Sequence, residues 1–253
     1  MSAPSRVYGR AVTIDPDAVA GFFAIRARRA GSAEPLTSVL YQDAHPELAV
    51  ARDRHEKSVM VPKLHLDADS RVLDVGCGIG RWAEPVLAAG AGYCGTDFSE
   101  PLLEVARDRV TDPRARFAHA AIQDLDPYLL GEPGGFDRVI VAGVLIYLND
   151  EDVVRGLDAV AACAAPRSHV YLREPVATGE RLTLNGHWSS DLDQSYSAVY
   201  RTAAELDQVM DATLGRAGFV LHEAGELYPP ALNNRADTRQ RYFLWRRSRV
   251  SRE

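Results

Sequence analysis

The 253-residue chain has little lysine, little cysteine and no long apolar run, and each shortage excludes a class of protein. Lysine occurs only as Lys57 and Lys63 among 29 basic residues, which are outnumbered by 35 acidic ones, so the formal net charge is −6. A nucleic-acid-binding surface is basic, and we therefore expect no nucleic-acid partner. No apolar run reaches the ~18 residues that a membrane-spanning helix needs, so no membrane partner is expected either.

The cysteines are few and do not form a recognisable site. Cys77, Cys94 and Cys163 are odd in number, well separated and set in apolar segments. This usage is typical of buried, reduced thiols in a cytoplasmic protein. No pair has the spacing of metal ligands, and we expect no metal. The first ten residues, MSAPSRVYGR, lack the apolar core of a signal peptide.

Two regions of the chain differ in pattern. Residues 1–66 contain two amphipathic segments, which predict one helix starting at Asp15 and Pro16 and a second one ending near Pro62. We expect this region to form an N-terminal helical lid. From Arg71 onward, short apolar strands alternate with helices, and that alternation predicts right-handed crossovers and a parallel sheet covered on both faces.

The alternation is interrupted late in the chain. Residues 176–200 are rich in glycine, serine and polar side chains, which predicts a loop-rich insertion. A helix is then expected over 202–219, followed by two strands, FVLHEAGEL and RYFLWRR, with no helix between them. Two successive strands indicate an antiparallel pair at the edge of the sheet.

A glycine-rich loop follows the first strand of the alternating region. The segment VLDVGCGIGRW, residues 72–82, has glycines spaced G-x-G-x-G, and Arg81 stands where the dinucleotide fingerprint G-x-G-x-x-G has its third glycine. A pyrophosphate is bound by free N–H groups at the start of a helix. The altered spacing therefore favours a nucleoside ligand without a pyrophosphate over NAD.

An acidic residue ends the second strand. Asp97, in GTDFSE, lies seventeen residues after Gly80 and could accept hydrogen bonds from both hydroxyls of a ribose. The two motifs together, DVGCGIG and GTDFSE, resemble those of class I S-adenosylmethionine (SAM)-dependent methyltransferases. The resemblance covers residues 71–172, and more loosely the late segments AGFVLHE and RYFLW.

This resemblance implies the fold and the cofactor. The expected fold class is α/β, a doubly wound, Rossmann-like, seven-stranded and mostly parallel sheet with an antiparallel last strand. Residues 67–253 would form the SAM-binding domain, with an acceptor-side insertion at about 176–200. The implied cofactor is S-adenosyl-L-methionine.

The cofactor-binding residues implied by the resemblance lie after the predicted strands. The first acid and the glycine loop would hold the methionine part, and the next acid and aromatic residue would contact ribose and adenine. The segment AAIQDLDP would supply the adenine contacts, and the end of the fourth strand would flank the methionine. The set is Asp74, Gly76, Gly78, Gly80, Asp97, Phe98, Ile122, Gln123, Asp124, Val141 and Ala142.

The residues that would bind the methyl acceptor and act on it are less clearly marked in the sequence. His187, Glu174 and Tyr147 are the candidate catalytic residues, and Tyr41 and His55 of the N-terminal region follow them. AGVL follows the fourth strand where nucleic-acid methyltransferases of this fold have N/D-P-P-Y/F, which favours a small-molecule acceptor.

We therefore expect methyl transfer from SAM to an N or O atom of a small molecule, as in secondary metabolism. The chain could act as a monomer or as a homodimer. Two alternatives remain open at this point: a nicotinamide-dependent oxidoreductase and a SAM-binding module without catalysis.

Overall fold

The alternating segments fold into a seven-stranded sheet in the computed structural model, which describes residues 5–30 and 35–247. The strands of the described residues are β1 (Arg6–Tyr8), β2 (Arg71–Val75), β3 (Gly92–Asp97), β4 (Ala115–His119), β5 (Phe136–Ala142), β6 (Ala164–Ala177), β7 (Leu182–Ser189), β8 (Gln194–Tyr200), β9 (Val220–Glu226) and β10 (Thr238–Arg247). The α-helices are α1 (Pro16–Ala30), α2 (Leu36–Leu40), α3 (Pro46–Leu64), α4 (Ala83–Ala88), α5 (Glu100–Arg109), α6 (Asp150–Cys163) and α7 (Ala203–Met210).

The strand order confirms the predicted fold class. The large sheet runs β4-β3-β2-β5-β6-β10-β9. Strand β2 pairs in parallel with β3 and β5, whereas β10 is antiparallel to both β6 and β9. The last strand in sequence therefore lies inside the sheet and β9 forms the edge, as expected of a late strand pair joined without a helix.

Burial explains why the central segments adopt these elements. Val139, Ile140 and Val141 of β5 are fully buried, which is the pattern of a strand covered on both faces. Helix α6 buries Val153, Leu157 and Val160 at helical spacing against this sheet. Its first turn is acidic, which complements the partial positive charge at a helix N-terminus.

The second predicted helix ends near Pro62, as expected, although the proline itself lies inside it. Pro62 does not end α3, which continues to Leu64, and His65 then adopts a left-handed backbone conformation with φ of 49°. Met60 and Leu64 on either side of the proline are fully buried. Their burial offsets the hydrogen bond that the proline cannot donate. The first helix begins at Pro16, as predicted, and Asp15 accepts a hydrogen bond from the Asp17 N–H at 3.0 Å.

The predicted loop-rich insertion is wrong, because residues 182–200 form a β-hairpin. Strands β7 and β8 pair with each other, and β1 joins β7 to make a separate three-stranded antiparallel sheet. Leu182, Leu184 and Ala198 of this sheet are buried against the N-terminal helices. Gly186, with φ of 59°, lies where the β7–β8 register shifts, so this glycine marks a bulge and not a loop.

None of the helices in the described residues is both long and apolar enough to cross a membrane.

Candidate active site

A cleft of about 340 Å³ opens where the carboxyl ends of β2, β3 and β5 meet. This edge of a doubly wound sheet is where ligands bind in such folds. The glycine loop, Asp97, the segment 120–123 and the segment 142–148 line the cleft, and residues of α1 close it from the opposite side. We call this cavity the main cleft; its volume lies in the usual range for small-ligand sites.

Close packing explains why the loop contains glycines. Gly76 has φ of 66°, and a Cβ atom built there would lie 2.5 Å from Cγ2 of Val144. Gly78 has φ of 56°, and its Cβ atom would lie 3.0 Å from Cγ1 of Val39. A side chain at either position would therefore meet both backbone strain and a wall of the cleft.

Asp97 lies at the end of β3, where the prediction placed it, and it lines the main cleft. Its Oδ2 accepts the Gly78 N–H at 2.8 Å, and its Oδ1 accepts the Ser99 N–H at 2.8 Å. Burial raises the pKa of this carboxyl to about 6, although the two N–H donors act in the opposite direction. These bonds hold the carboxylate in one orientation against the glycine loop, and each oxygen retains a further lone pair.

Asp74 does not line the main cleft. It is buried behind the glycine loop, where its Oδ2 accepts the Tyr93 hydroxyl at 2.6 Å. Burial raises the pKa of Asp74 to about 7. Among the other predicted cofactor residues, Gly80, Asp124 and Val141 are absent from the cleft lining, and Asp124 is exposed to solvent. Their predicted contacts with a cofactor are therefore not supported by their positions.

Three predicted adenine contacts do lie along the cleft. Phe98, Ile122 and Gln123 line it together, and Ala142 lines it from the end of β5. Gln123 Oε1 is buried and has no hydrogen-bond partner within residues 5–30 and 35–247. A buried acceptor without a partner costs free energy, so a ligand donor such as an amino group would satisfy it.

The three candidate catalytic residues lie in different places. Tyr147 lines the main cleft from a 3₁₀ turn after β5, and its ring centroid lies 6.1 Å from that of Tyr41 in the N-terminal region. Burial raises the pKa of the Tyr147 hydroxyl well above its usual range. The phenol is therefore neutral at physiological pH and can act as a hydrogen-bond donor.

Glu174 is buried beside the cleft and does not line it. Its Oε1 accepts the backbone N–H groups of Val144 and Leu145 at 2.9 and 3.0 Å. Burial raises the pKa of this carboxyl, while those donors lower it. The geometry therefore gives Glu174 a positioning role, since it orients the turn that carries Tyr147.

His187 lies on β7, away from the main cleft. One ring nitrogen, Nδ1, is 2.9 Å from Ser5 Oγ, and burial together with the charge of Arg6 lowers the pKa of the ring. It lines a separate cavity with Arg6 and Asp237. The role of His187 as a base stays a prediction that its position does not support. His55 is also outside the main cleft, with Nε2 at 3.0 Å from the Leu227 carbonyl oxygen.

A second, smaller cavity of about 70 Å³ adjoins the main cleft, and we call it the side cavity. The two cavities share Val39, Tyr41, Ala142, Gly143 and Tyr147 as a common wall. The side cavity extends from this wall towards α3, β6, β8 and the segment 228–240. A ligand in one cavity could therefore reach a ligand in the other at the tyrosine pair.

Several residues of this site were not anticipated. Val39 and Val144 pack over the glycine loop. Phe23 of α1 belongs to the buried core and also lines the main cleft, where its ring contacts that of Phe98 edge to face at 5.3 Å between centroids. Arg235 lines the side cavity. A short apolar residue or a lone arginine carries no sequence signal for such a role, because only the tertiary fold brings it to the site.

Comparison with known proteins supports the interpretation of this geometry. The family model described as "Methyltransferase domain" matches residues 72–167. A ubiquinone biosynthesis O-methyltransferase of Thiobacillus denitrificans is 37% identical over 97 residues, which are 38% of this chain and 39% of that protein. A demethylmenaquinone methyltransferase of Clavibacter sepedonicus is 30% identical over 138 residues, 54% of each chain. The chain spans less than two thirds of the length of these curated relatives.

The similarity to a solved structure extends further than the sequence similarity. The 1,6-didemethyltoxoflavin-N1-methyltransferase of Burkholderia thailandensis, solved with 1,6-didemethyltoxoflavin and S-adenosylhomocysteine, superposes with a TM-score of 0.65. The match covers 96% of this chain and 95% of that chain at 18% identity, and it therefore shows a shared fold. Residues 72–167 therefore match a methyltransferase domain, and the chain shares the fold of a methyltransferase that was solved with S-adenosylhomocysteine.

Proposed function

We propose that the chain transfers a methyl group from SAM to an N or O atom of a small-molecule acceptor. The observation that carries this proposal is the main cleft, in which the glycine loop holds Asp97 by a 2.8 Å hydrogen bond from Gly78. The relatives named above methylate small molecules according to their names, which supports the same class of acceptor here. A role in secondary metabolism is part of the proposal.

The residues present fit SAM on two counts. Asp97 lies in the cleft with one lone pair free on each oxygen, as two ribose hydroxyls require. Gln123 Oε1, buried without a partner among the described residues, would accept a hydrogen bond from the adenine amino group. Phe98 and Ile122 would provide apolar contacts on the ring. When bound, SAM supplies an electrophilic methyl group carried on a sulfonium.

The main contribution of the protein to such a transfer is to position the acceptor. Displacement at a methyl group needs the acceptor atom held in line, at roughly 3 to 3.5 Å. Tyr147 and Tyr41 form the wall between the two cavities, so their hydroxyls would contact an acceptor that enters from the side cavity. Glu174 keeps the 3₁₀ turn that carries Tyr147 in place.

A lid is also part of the proposal. Residues 1–66 and the insertion at about 176–200 lie outside the alternating core, and Phe22 of α1 packs against Tyr147 and Tyr196 with ring centroids 6.3 and 5.9 Å apart. This aromatic cluster would exclude water from the shared wall. Residues 67–253 would bind the cofactor, and the lid would complete the acceptor side.

The proposed function is tested by turnover with ¹³C-methyl SAM. The purified protein is incubated with small amines, phenols and carboxylic acids, and product methyl signals are followed by NMR, with a NAD⁺ binding titration in parallel. Saturable SAM binding, a labelled product and no NAD⁺ binding are the expected results. SAM binding without any labelled product from a broad panel would favour a non-catalytic SAM-binding module, and NAD⁺ binding in place of SAM would favour an oxidoreductase.

A further inference from the structure

The side cavity contains an excess of positive charge. Arg52, Arg173 and Arg235 line it, and no aspartate or glutamate of the described residues does. The remaining lining is mostly apolar or tyrosine and amide side chains. Arginines are rarely buried without an anionic partner, so this composition needs an explanation.

The three arginines differ in their partners. Arg173 has a buried counter-ion, because its Nε lies 3.3 Å from Glu56 Oε1. Arg52 donates only to neutral oxygens, the Leu232 carbonyl and Asn234 Oδ1, both at 2.8 Å. The guanidinium of Arg235 makes no hydrogen bond and no ion pair within 4.0 Å inside the described part of the chain. Two of the three positive charges therefore lack an anionic partner.

The charges also repel one another. The pKa of Arg52 is lowered, first by burial and then by the positive charges of Arg235 and Arg173. Burial opposes the charged form of Arg235, but nearby tyrosines and Asp191 raise its pKa; Asp191 and Arg235 line a third cavity together and form no ion pair within 4.0 Å. An anion bound between these arginines would relieve the repulsion and would replace the water lost on burial.

The tyrosines of the side cavity are compatible with an anion. Tyr147 and Tyr200 are buried, and burial raises the pKa of both hydroxyls well above the usual range. Both phenols are therefore neutral, and they bring hydrogen-bond donors without negative charge. The hydroxyl oxygens of Tyr196 and Tyr200 are 3.4 Å apart, so one of them can donate into the cavity.

We propose that the acceptor carries an oxyanion group, a carboxylate or a phosphate, which binds between Arg235 and Arg52 in the side cavity. The atom to be methylated then lies at the Tyr41–Tyr147 wall, next to the main cleft. This inference rests on the proposed function, because it names the chemical class of the acceptor of that reaction. The cavity, about 70 Å³ in volume, holds on the order of five water-sized groups, so the acceptor is small.

The test uses sodium phosphate and sodium acetate as probes, at constant ionic strength set with sodium chloride. Binding to the full chain is followed by tyrosine fluorescence and by NMR of the arginine Nε–H groups. The Arg235→Gln variant removes a charge that has no partner to lose, so it is expected to fold. Arg216→Gln is the matched control, since Arg216 forms an exposed ion pair with Asp158 away from both cavities.

We expect saturable binding of at least one probe, at least tenfold weaker in Arg235→Gln and unchanged in Arg216→Gln. Preference for phosphate or for acetate identifies the oxyanion. Absence of binding by both probes, or equal binding by wild type and Arg235→Gln, would overturn the proposal. A parallel SAM titration separates the two hypotheses: SAM binding without oxyanion binding refutes this inference and leaves the proposed function standing. Oxyanion binding without SAM binding refutes the proposed function, and with it the assignment of the oxyanion to a methyl acceptor.

Discussion

Nη1 of Arg81 lies 2.8 Å from Oε2 of Glu56, an ion pair that joins the glycine loop to helix α3. The residue that replaces the third glycine of the dinucleotide fingerprint is therefore used to attach the N-terminal region to the cofactor loop. Glu56 also lies 3.3 Å from Arg173 Nε and accepts the Tyr171 hydroxyl at 2.7 Å. One buried carboxylate thus connects the helical region, the main cleft and the side cavity.

Replacing Glu56 should strongly destabilise the protein. Burial alone would raise the pKa of Glu56, but the charges of Arg81 and Arg173 hold it at about 2. In Glu56→Gln both guanidinium groups lose this counter-charge in a buried position, which typically costs about 3–5 kcal/mol. Urea denaturation measures the loss. Glu84→Gln is the control, because Glu84 is exposed and forms a long ion pair with Lys57, at 3.8 Å. This variant should change the free energy of unfolding by under about 1 kcal/mol.

The pH dependence of this pair has a definite sign. The folded-state pKa of Glu56 lies below the usual value of 4.5, so its stabilising contribution is complete above about pH 4.5 and is lost as the pH falls towards 2. The stability difference between wild type and Glu56→Gln should therefore shrink below pH 4.5. A difference that stays constant between pH 7 and pH 3 would contradict the ion-pair assignment.

Substitution of Gly78 should separate a packing requirement from backbone strain. Gly78→Ala places a methyl group 3.0 Å from Val39, which lines both cavities, and we expect loss of most SAM affinity. Gly131→Ala carries a similar strain, with φ of 71°, but its Cβ atom would meet nothing within 4 Å. Both variants should lose about 1–2 kcal/mol of stability. Calorimetry that finds equal SAM affinity in the two variants would show that the loop does not contact a cofactor.

The ionised carboxylate of Asp74 should lower the free energy of unfolding at neutral pH. Its folded-state pKa of about 7 exceeds the usual value of 3.8, so between these pH values the folded state binds more protons than the unfolded state. The free energy of unfolding therefore falls as the pH rises from about 4 to 7. Asp74→Asn keeps an acceptor for the Tyr93 hydroxyl and should be more stable than wild type at pH 8, by on the order of 2 kcal/mol. If wild type is the more stable protein at pH 8, the prediction is wrong and the charged carboxylate is stabilised by a partner other than Tyr93.

The three candidate catalytic residues should differ in their kinetics. Tyr147→Phe removes a hydroxyl at the shared wall, so the KM of the acceptor should rise by about tenfold with SAM affinity unchanged. Glu174→Ala removes the acceptor of two backbone N–H groups, so it should lower stability and leave the shape of the pH–rate profile intact, as expected of a positioning residue. His187→Gln should leave kcat within about twofold, whereas a general base is expected to contribute 10²–10⁴-fold. A large loss of kcat in His187→Gln would restore its predicted role as base.

The sequence was most informative where the fold follows from local pattern. The alternation of apolar strands and helices after Arg71 predicted the sheet. The spacing of Gly76, Gly78 and Asp97 predicted that Asp97 ends the second strand of this sheet, beside the glycine loop. Val39, Val144 and Arg235 were missed, because their roles depend on contacts between residues far apart in the chain. No periodicity or spacing marks such residues.

The errors of prediction have physical causes. Glycine and serine in residues 176–200 suggested a loop, but the alternating apolar residues Leu182 and Leu184 are buried and make the segment a strand. Glu174 is a candidate catalytic residue by sequence, yet two backbone N–H donors occupy one of its oxygens. His187 is also a candidate by sequence, but the pairing of β7 with β8 places it away from the main cleft.

The assignment of the main cleft as the SAM site is tested most directly by calorimetric titration. SAM is titrated into wild type, Asp97→Ala, Asp97→Asn and Asp124→Ala. Asp97 offers two charge-assisted hydrogen bonds, each worth about 1.5–3 kcal/mol, so both Asp97 variants should bind SAM at least about 100-fold more weakly than wild type. Asp124 is exposed and lies outside the cleft lining, and its variant should match wild type. Thermal unfolding checks that all variants are folded. Equal SAM affinity in wild type and folded Asp97 variants would contradict the assignment of the main cleft as the cofactor site.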